Sequence, residues 1–155
     1  MIQTHASVVI NRPVEQVFDF VSNPEHDPEW SSGVVEVRKL SEDPWGPGTR
    51  YVYVRSFLGR RLEVSGAVTQ FDAPQRYAFA SGNDAVKATG SLDFEPVDGG
   101  TRVDFSMAIE SGGLFKLAEP VMAKIVQHQM QSDFEVLKHL LEAPGDLHSV
   151  WSTNA

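Results

Sequence analysis

The sequence predicts an α+β fold: a curved antiparallel sheet of about seven strands wrapped around a long C-terminal helix, with two short helices after the first strand. Three observations predict it. The stretch from Asn11 to Trp30 runs out of an N-terminal strand into a short amphipathic helix and ends on a tryptophan. The chain closes near Glu142 on a long apolar-striped helix, and the segments between the two read as strands joined mostly by short links. A sheet of that kind can grip one helix and leave a hollow between them.

Residues 3–11 are rich in β-branched side chains, and Asn11-Arg12-Pro13 ends the strand. Pro13 suits a first helical turn, where its missing N–H would be unpaired anyway, and Val14, Val17, Phe18 and Val21 follow on one face. Asn23-Pro24 stops that helix, and Pro28 limits the next turn to a few residues before Trp30. Strands are expected over 34–40, 49–58, 62–68, 77–79, 86–94 and 103–109. The turns between them carry Pro44, Gly46, Pro47 and Gly48, then Gly59-Arg60, Asp72-Ala73-Pro74, Gly82-Asn83-Asp84 and Asp98-Gly99-Gly100. In the last element Met122, Val126, Met130, Phe134, Leu137 and Leu141 keep helical spacing. Pro120 sets its start near Glu119 or kinks it there, and from Pro120 to Glu142 it spans roughly 33 Å.

Strand period assigns the inward faces: Val103, Phe105, Met107 and Ile109; Val86, Ala88, Gly90, Leu92 and Phe94; Tyr77 and Phe79; Leu62, Val64, Gly66 and Val68. Phe94, Phe105, Met107, Met122 and Phe134 are expected to be shielded from water. The strand at 49–58 is ambiguous, because Tyr51, Tyr53, Arg55 and Phe57 compete with Val52, Val54 and Leu58 for the interior. Small Gly66, Ala88 and Gly90 among large neighbours suggest unfilled volume, with Met107, Met122 and Met130 as pliable lining. The plainer reading is a packed core against the helix, with Trp30 plugging its base.

Composition removes several classes. A chain of 155 residues with 41% hydrophobic content fits one domain over 1–142, followed by a mobile tail from 143 to 155. A net charge of −8 argues against nucleic acid and against an anionic membrane surface. With no cysteine, thiolate nucleophiles and Cys-ligated metals are excluded. No segment approaches a membrane span and the start lacks a secretory pattern, so the expected setting is cytoplasmic. No phosphate-cradling loop or paired metal ligands are found, and neither cofactor nor metal is implied. His26, Asp27 and Glu29 form the nearest thing to a ligand cluster and read as a solvated loop. Asp93, Glu95, Asp104 and Glu110 carry outward parity, leaving Arg55 as the one charge that can face the hollow.

The segment Ile10-Asn-Arg-Pro-Val-Glu-Gln-Val-Phe18, then Asn23-Pro24 with Trp30, Gly48, Phe71-Asp-Ala-Pro-Gln-Arg76 and Gly100-Thr-Arg-Val103 together resemble the START/Bet v 1-like (SRPBCC) superfamily of polyketide cyclase/dehydrase and lipid-transport proteins. The resemblance covers about residues 3–142. It implies a helix-grip fold with an internal hydrophobic cavity, in a superfamily that includes carriers, receptors and aromatase/cyclases, so it does not choose among them.

The leading expectation is a binder of a small hydrophobic molecule, lipid-, aromatic- or polyketide-like. Trp30, Tyr51, Tyr53, Arg55, Leu62, Val64, Tyr77, Phe79, Ala88, Gly90, Phe94, Phe105, Met107, Met122, Val126 and Met130 are the candidate ligand-binding residues. A second reading is an aromatase/cyclase-like enzyme that holds an enolate with Arg55, Tyr51 and Tyr53. A third is a protein-interaction module with a vestigial cavity and an unspecified partner. Ser111-Gly112-Gly113 before Leu114, Phe115 and Leu117 is a candidate hinge and apolar lid.

Overall fold

The computed structural model describes residues 1–42, 44–57, 59–83, 86–111 and 117–143. Its elements are β1 (Ile2–Ile10), α1 (Val14–Val21), a 3-10 segment (Pro24–Glu29), β2 (Val34–Lys39), β3 (Arg50–Phe57), β4 (Arg60–Asp72), β5 (Arg76–Gly82), β6 (Val86–Val97), β7 (Gly100–Ser111) and α2 (Glu119–Glu142). One seven-stranded sheet runs in the order β1-β7-β6-β5-β4-β3-β2, each neighbouring pair antiparallel. Strands β2 to β7 form the expected meander, and β1 closes onto β7. The two short helices carry the chain from one edge of the sheet to the other.

Register breaks between Val34 and Glu36 and between Val68 and Gln70 fall on β2 and β4, where an extra residue bends the strand and deepens the curl. Strands β4 to β7 extend beyond the expected bounds, because the added stretches keep partners on at least one neighbouring strand. Gly100 permits the tight join of β7 to β1, since a Cβ there would stand 2.2 Å from the Ile10 carbonyl oxygen.

Strand β1 is an edge, and α2 covers it. Gln127 donates to the His5 carbonyl and accepts from the His5 N–H. Lys138 Nζ donates to the Val9 carbonyl at 2.7 Å, and Glu142 accepts from the Asn11 N–H at 2.8 Å. Arg12 donates to the carbonyls of Leu141 and Ala143, placing a cation on the C-terminal end of α2, where the helix dipole favours it. Edge groups open to another chain are thus occupied by side chains of the same one.

The core is densest toward the C-terminal end of α2. Leu137, Leu141, Ile10, Val17 and Val103 are fully buried, and Phe18 packs edge-on to Phe71 and Phe94. The opposite end is looser. Val121 and Ile125 are 63% and 49% exposed, while Met122 and Val126 are half-buried. Of the five side chains expected to be shielded, Phe94 and Phe134 are buried, whereas Phe105, Met107 and Met122 are only half-buried. The reason is the placement of α2, which lies along the β1 edge and leaves the inward side chains at its N-terminal half partly uncovered. Of the candidate lid, Gly112, Gly113, Leu114 and Phe115 lie outside the described residues, as does the tail from 144, and Leu117 is 84% exposed.

Candidate functional site

An arc of aromatic rings lines the concave face. Trp30 meets Phe134 at 6.0 Å between centroids, Phe134 meets Phe105 at 5.9 Å, Phe105 meets Phe79 at 6.1 Å and Phe79 meets Tyr77 at 6.1 Å. Near the other end Tyr51 and Tyr53 stand edge to face at 5.0 Å. The ambiguity of β3 resolves with the tyrosines on the concave side: Tyr51 is fully buried and Tyr53 packs against the core. Val54, of the opposite parity, is shielded as well.

The glycines do not leave the expected empty volume. A Cβ at Gly66 would fall 2.5 Å from the ring of Tyr51, and one at Gly90 would fall 2.5 Å from the ring of Phe79. Each glycine is the floor beneath an aromatic ring, so small residues mark where rings lie.

The polar centre of this face is Asp27. Its 3-10 segment is bracketed by Pro24 and Pro28, capped by the Asn23 side chain accepting from the Glu25 N–H, and closed by the Asp27 carbonyl accepting from the N–H groups of Trp30 and Ser31. With three residues per turn, Pro24, Asp27 and Trp30 share a face. Pro24 and Trp30 are buried, and Asp27 beside them is half-buried, with the Tyr53 hydroxyl donating to its Oδ2. The expectation of a solvated loop is therefore corrected at Asp27. The spacing from Pro24 to Trp30 carried the signal, but helical or strand periods do not reveal it.

Loss of water pushes the Asp27 carboxyl up to about 7, outweighing the Tyr53 hydrogen bond and the positive charge of Arg55. Burial first, and then the charge of Asp27, holds the hydroxyls of Tyr51 and Tyr53 above the ordinary phenol range. For Tyr77 the order is burial, Tyr51 and then Asp27. All three are neutral donors at physiological pH. The Tyr51 and Tyr77 hydroxyls lie near enough to perturb one another, and among the described residues neither has a directed hydrogen-bond partner. A buried hydroxyl needs a directed contact to offset its lost hydration, and proximity alone does not supply one.

Arg55 shares the concave parity of Tyr51 and Tyr53 but its side chain is exposed, pairing across the ladder with Leu62, itself 44% exposed. The charge of Arg55 acts on two carboxyls, Asp27 and Asp133. Asp133 of α2 is buried, accepts from Ser32 Oγ at 2.7 Å and Gln129 Nε2 at 3.1 Å, and is raised by burial against the Ser32 contacts and the charge of Arg55. Trp30 serves as core, though its Nε1 has no partner among the described residues. Among the other candidates Tyr77, Phe94 and Met130 are buried, while Val64, Phe79, Ala88, Phe105, Met107, Met122 and Val126 are half-buried; Gly90 is covered by Phe79.

Two open recesses lie apart from this cluster. One of about 330 Å³ sits between the 3-10 segment and α2, bordered by Pro28, Trp30, Ser32, Gln129 and Asp133. Another of about 750 Å³ is bordered largely by outward-parity residues such as His5, Ala78, Thr89, Ser91 and Ser106.

A sequence model described as polyketide cyclase/dehydrase and lipid transport matches residues 1–142. Among curated proteins none matches. Solved structures share the fold: a Thermus thermophilus protein at 20% identity and TM-score 0.78, covering 93% of this chain and 99% of the other. A START superfamily protein from Mycobacterium smegmatis aligns at 14% identity and TM-score 0.73, covering 92% and 98%. Ara h 8.0201 aligns at 17% identity and TM-score 0.60, covering 87% and 97%. No helix among the described residues is long and apolar enough to cross a membrane.

Proposed function

The chain belongs to the polyketide cyclase/dehydrase and lipid transport family, and from that premise we propose that residues 1–142 form one ligand-binding domain for a small, neutral, mostly apolar molecule bearing a hydrogen-bond-accepting oxygen. The observation that carries this reading is the pair of buried, unpartnered hydroxyls on Tyr51 and Tyr77. Each is a donor with no acceptor among the described residues, and a ligand oxygen supplies one. Half-buried Phe79, Phe105, Met107, Met122 and Val126 support an apolar approach, since they face inward and still meet solvent. We place the protein in the cytoplasm, in keeping with a chain that contains no cysteine.

The cyclase-like reading with Arg55 as the anion holder is weaker. Arg55 already faces two carboxyls, so an acidic ligand would meet Asp27 and Asp133 along with the guanidinium.

The test compares 2-tetralone with tetralin, two probes of nearly the same shape of which only the first has a carbonyl, by tryptophan fluorescence titration. Tyr51→Phe and Tyr77→Phe should each weaken 2-tetralone by about 0.5–1.5 kcal/mol and leave tetralin unchanged. Equal effects on both probes, or no binding of either, would refute the reading.

A further inference from the structure

We propose that the recess of about 330 Å³ between the 3-10 segment and α2 is a second binding site, taking a small organic ammonium ion whose N–H groups donate to the Asp133 carboxylate. The hydrocarbon part of the ligand rests on Pro28 and Val136, which border the same recess. Binding is by charge, hydrogen bonds and apolar contact alone, and no covalent bond changes. The site lies apart from the concave face, so it does not depend on the ligand proposed there.

Helical spacing builds one wall of the recess. Gln129, Ser132, Asp133 and Val136 share a face of α2, and Ser31 and Ser32 border the recess with them. Asp133 is the one carboxyl-bearing residue among the described residues that is held to as little as 8% exposure. Its hydrogen bonds come from neutral groups, Ser32 Oγ at 2.7 Å and Gln129 Nε2 at 3.1 Å, and among the described residues it forms no ion pair. The charge of Arg55 reaches it, yet that side chain is exposed and acts on Asp27 as well. Burial raises the Asp133 carboxyl in spite of these contacts, which marks a charge still short of compensation. A cation delivered to such a group gains more than one delivered to a solvated carboxylate. The rest of the lining selects the kind of cation. No lysine, arginine or histidine borders the recess, whereas Glu29 adds a second carboxylate, itself paired with His26 at 3.0 Å. The hydroxyls of Ser31, Ser32 and Ser132 can accept from further N–H groups. A bare metal ion would need more oxygen ligands than are assembled, since among the described residues no three His, Asp or Glu side chains come together to hold one. Hydrogen-bond acceptors beside the apolar surface of Pro28 and Val136 instead match an alkylammonium ion.

The experiment compares cyclohexylamine, a cation at neutral pH, with cyclohexanol, which is uncharged and of nearly the same shape, by proton–nitrogen correlation NMR on the full-length protein. The amine should shift the signals of Ser32, Gln129 and Ser132 saturably, and cyclohexanol at the same concentrations should leave them in place. Asp133→Asn should weaken the amine at least about 10-fold, as expected when a hydrogen bond to a charged group is lost. Gln129→Lys supplies the cation from within the chain, one helical turn before Asp133, and should abolish binding of the amine. Gln129 is exposed, so this second variant decides the matter should Asp133→Asn not fold. Wild-type affinity for the amine in either folded variant overturns the proposal. So do equal shifts from the two probes, saturable shifts confined to the concave face around Phe79 and Phe105, or no saturable shift in the wild type.

Discussion

The ring of Tyr51 covers the backbone of Gly66 on the neighbouring strand, so closely that a Cβ at residue 66 would lie 2.5 Å from one ring carbon and 2.8 Å from the hydroxyl oxygen. Strands β3 and β4 pair these two residues directly, and the missing side chain on one is filled by the large one on the other. The direction of the Tyr51 hydroxyl, and with it one of the two free donors of the cluster, therefore depends on residue 66 being glycine.

Gly66→Ala should cost about 1–3 kcal/mol in denaturant unfolding, the range for overpacking a filled core, because Tyr51 is fully buried and cannot swing clear. It should also weaken 2-tetralone more than tetralin, since the displaced hydroxyl is the part that reads the oxygen. A variant as stable as wild type would show that the ring can move and that the cluster is less fixed than the packing implies.

The raised Asp27 carboxyl makes stability depend on pH in the direction opposite to a salt-bridged carboxylate. The folded protein holds this proton up to about 7, against 3.8 for an ordinary aspartate, so between those limits it binds more protons than the unfolded chain. Stability from this group is fully present below about pH 4 and is lost as pH rises through 7, by an amount on the order of a few kcal/mol. Asp133, also raised by burial, adds to the same trend. Asp27→Asn cannot ionise, so urea unfolding at pH 5 and pH 8 should show a smaller drop for it than for wild type. An equal drop in both would mean that Asp27 is not the group responsible.

The strand order and helix positions follow from features that act locally. Prolines at 13, 24 and 28, glycines in turns and period-two alternation each constrain a few residues, and the antiparallel meander needs little beyond them. The candidate site was only partly legible. Tyr77 and Phe79 could be placed by parity, and the side of β3 that carries Tyr51 and Tyr53 could not, since Val54 on the other face is shielded too. Asp27 was missed because its placement depends on a 3-10 period shared with Pro24 and Trp30, and because its partner Tyr53 lies 26 residues away on another element. The half-buried state of Met107 and Met122 depends on which strand the helix lies along, a tertiary choice that no single element records.

Phe134 of α2 and Phe105 of β7, whose rings meet, should respond differently to truncation. Phe134 is 1% exposed and wedged between Trp30 and Phe105, so Phe134→Ala leaves a closed void and should cost about 3–5 kcal/mol. Phe105 faces the same side but is only half-buried, so less of its surface leaves water on folding and solvent or a ligand can fill the gap. Phe105→Ala should cost clearly less than Phe134→Ala in urea unfolding, and it should lower the affinity for tetralin and 2-tetralone alike, because the lost contact is apolar. Equal destabilisation by the two changes, with probe affinity intact in Phe105→Ala, would show that the looser end is packed core and that ligands enter elsewhere.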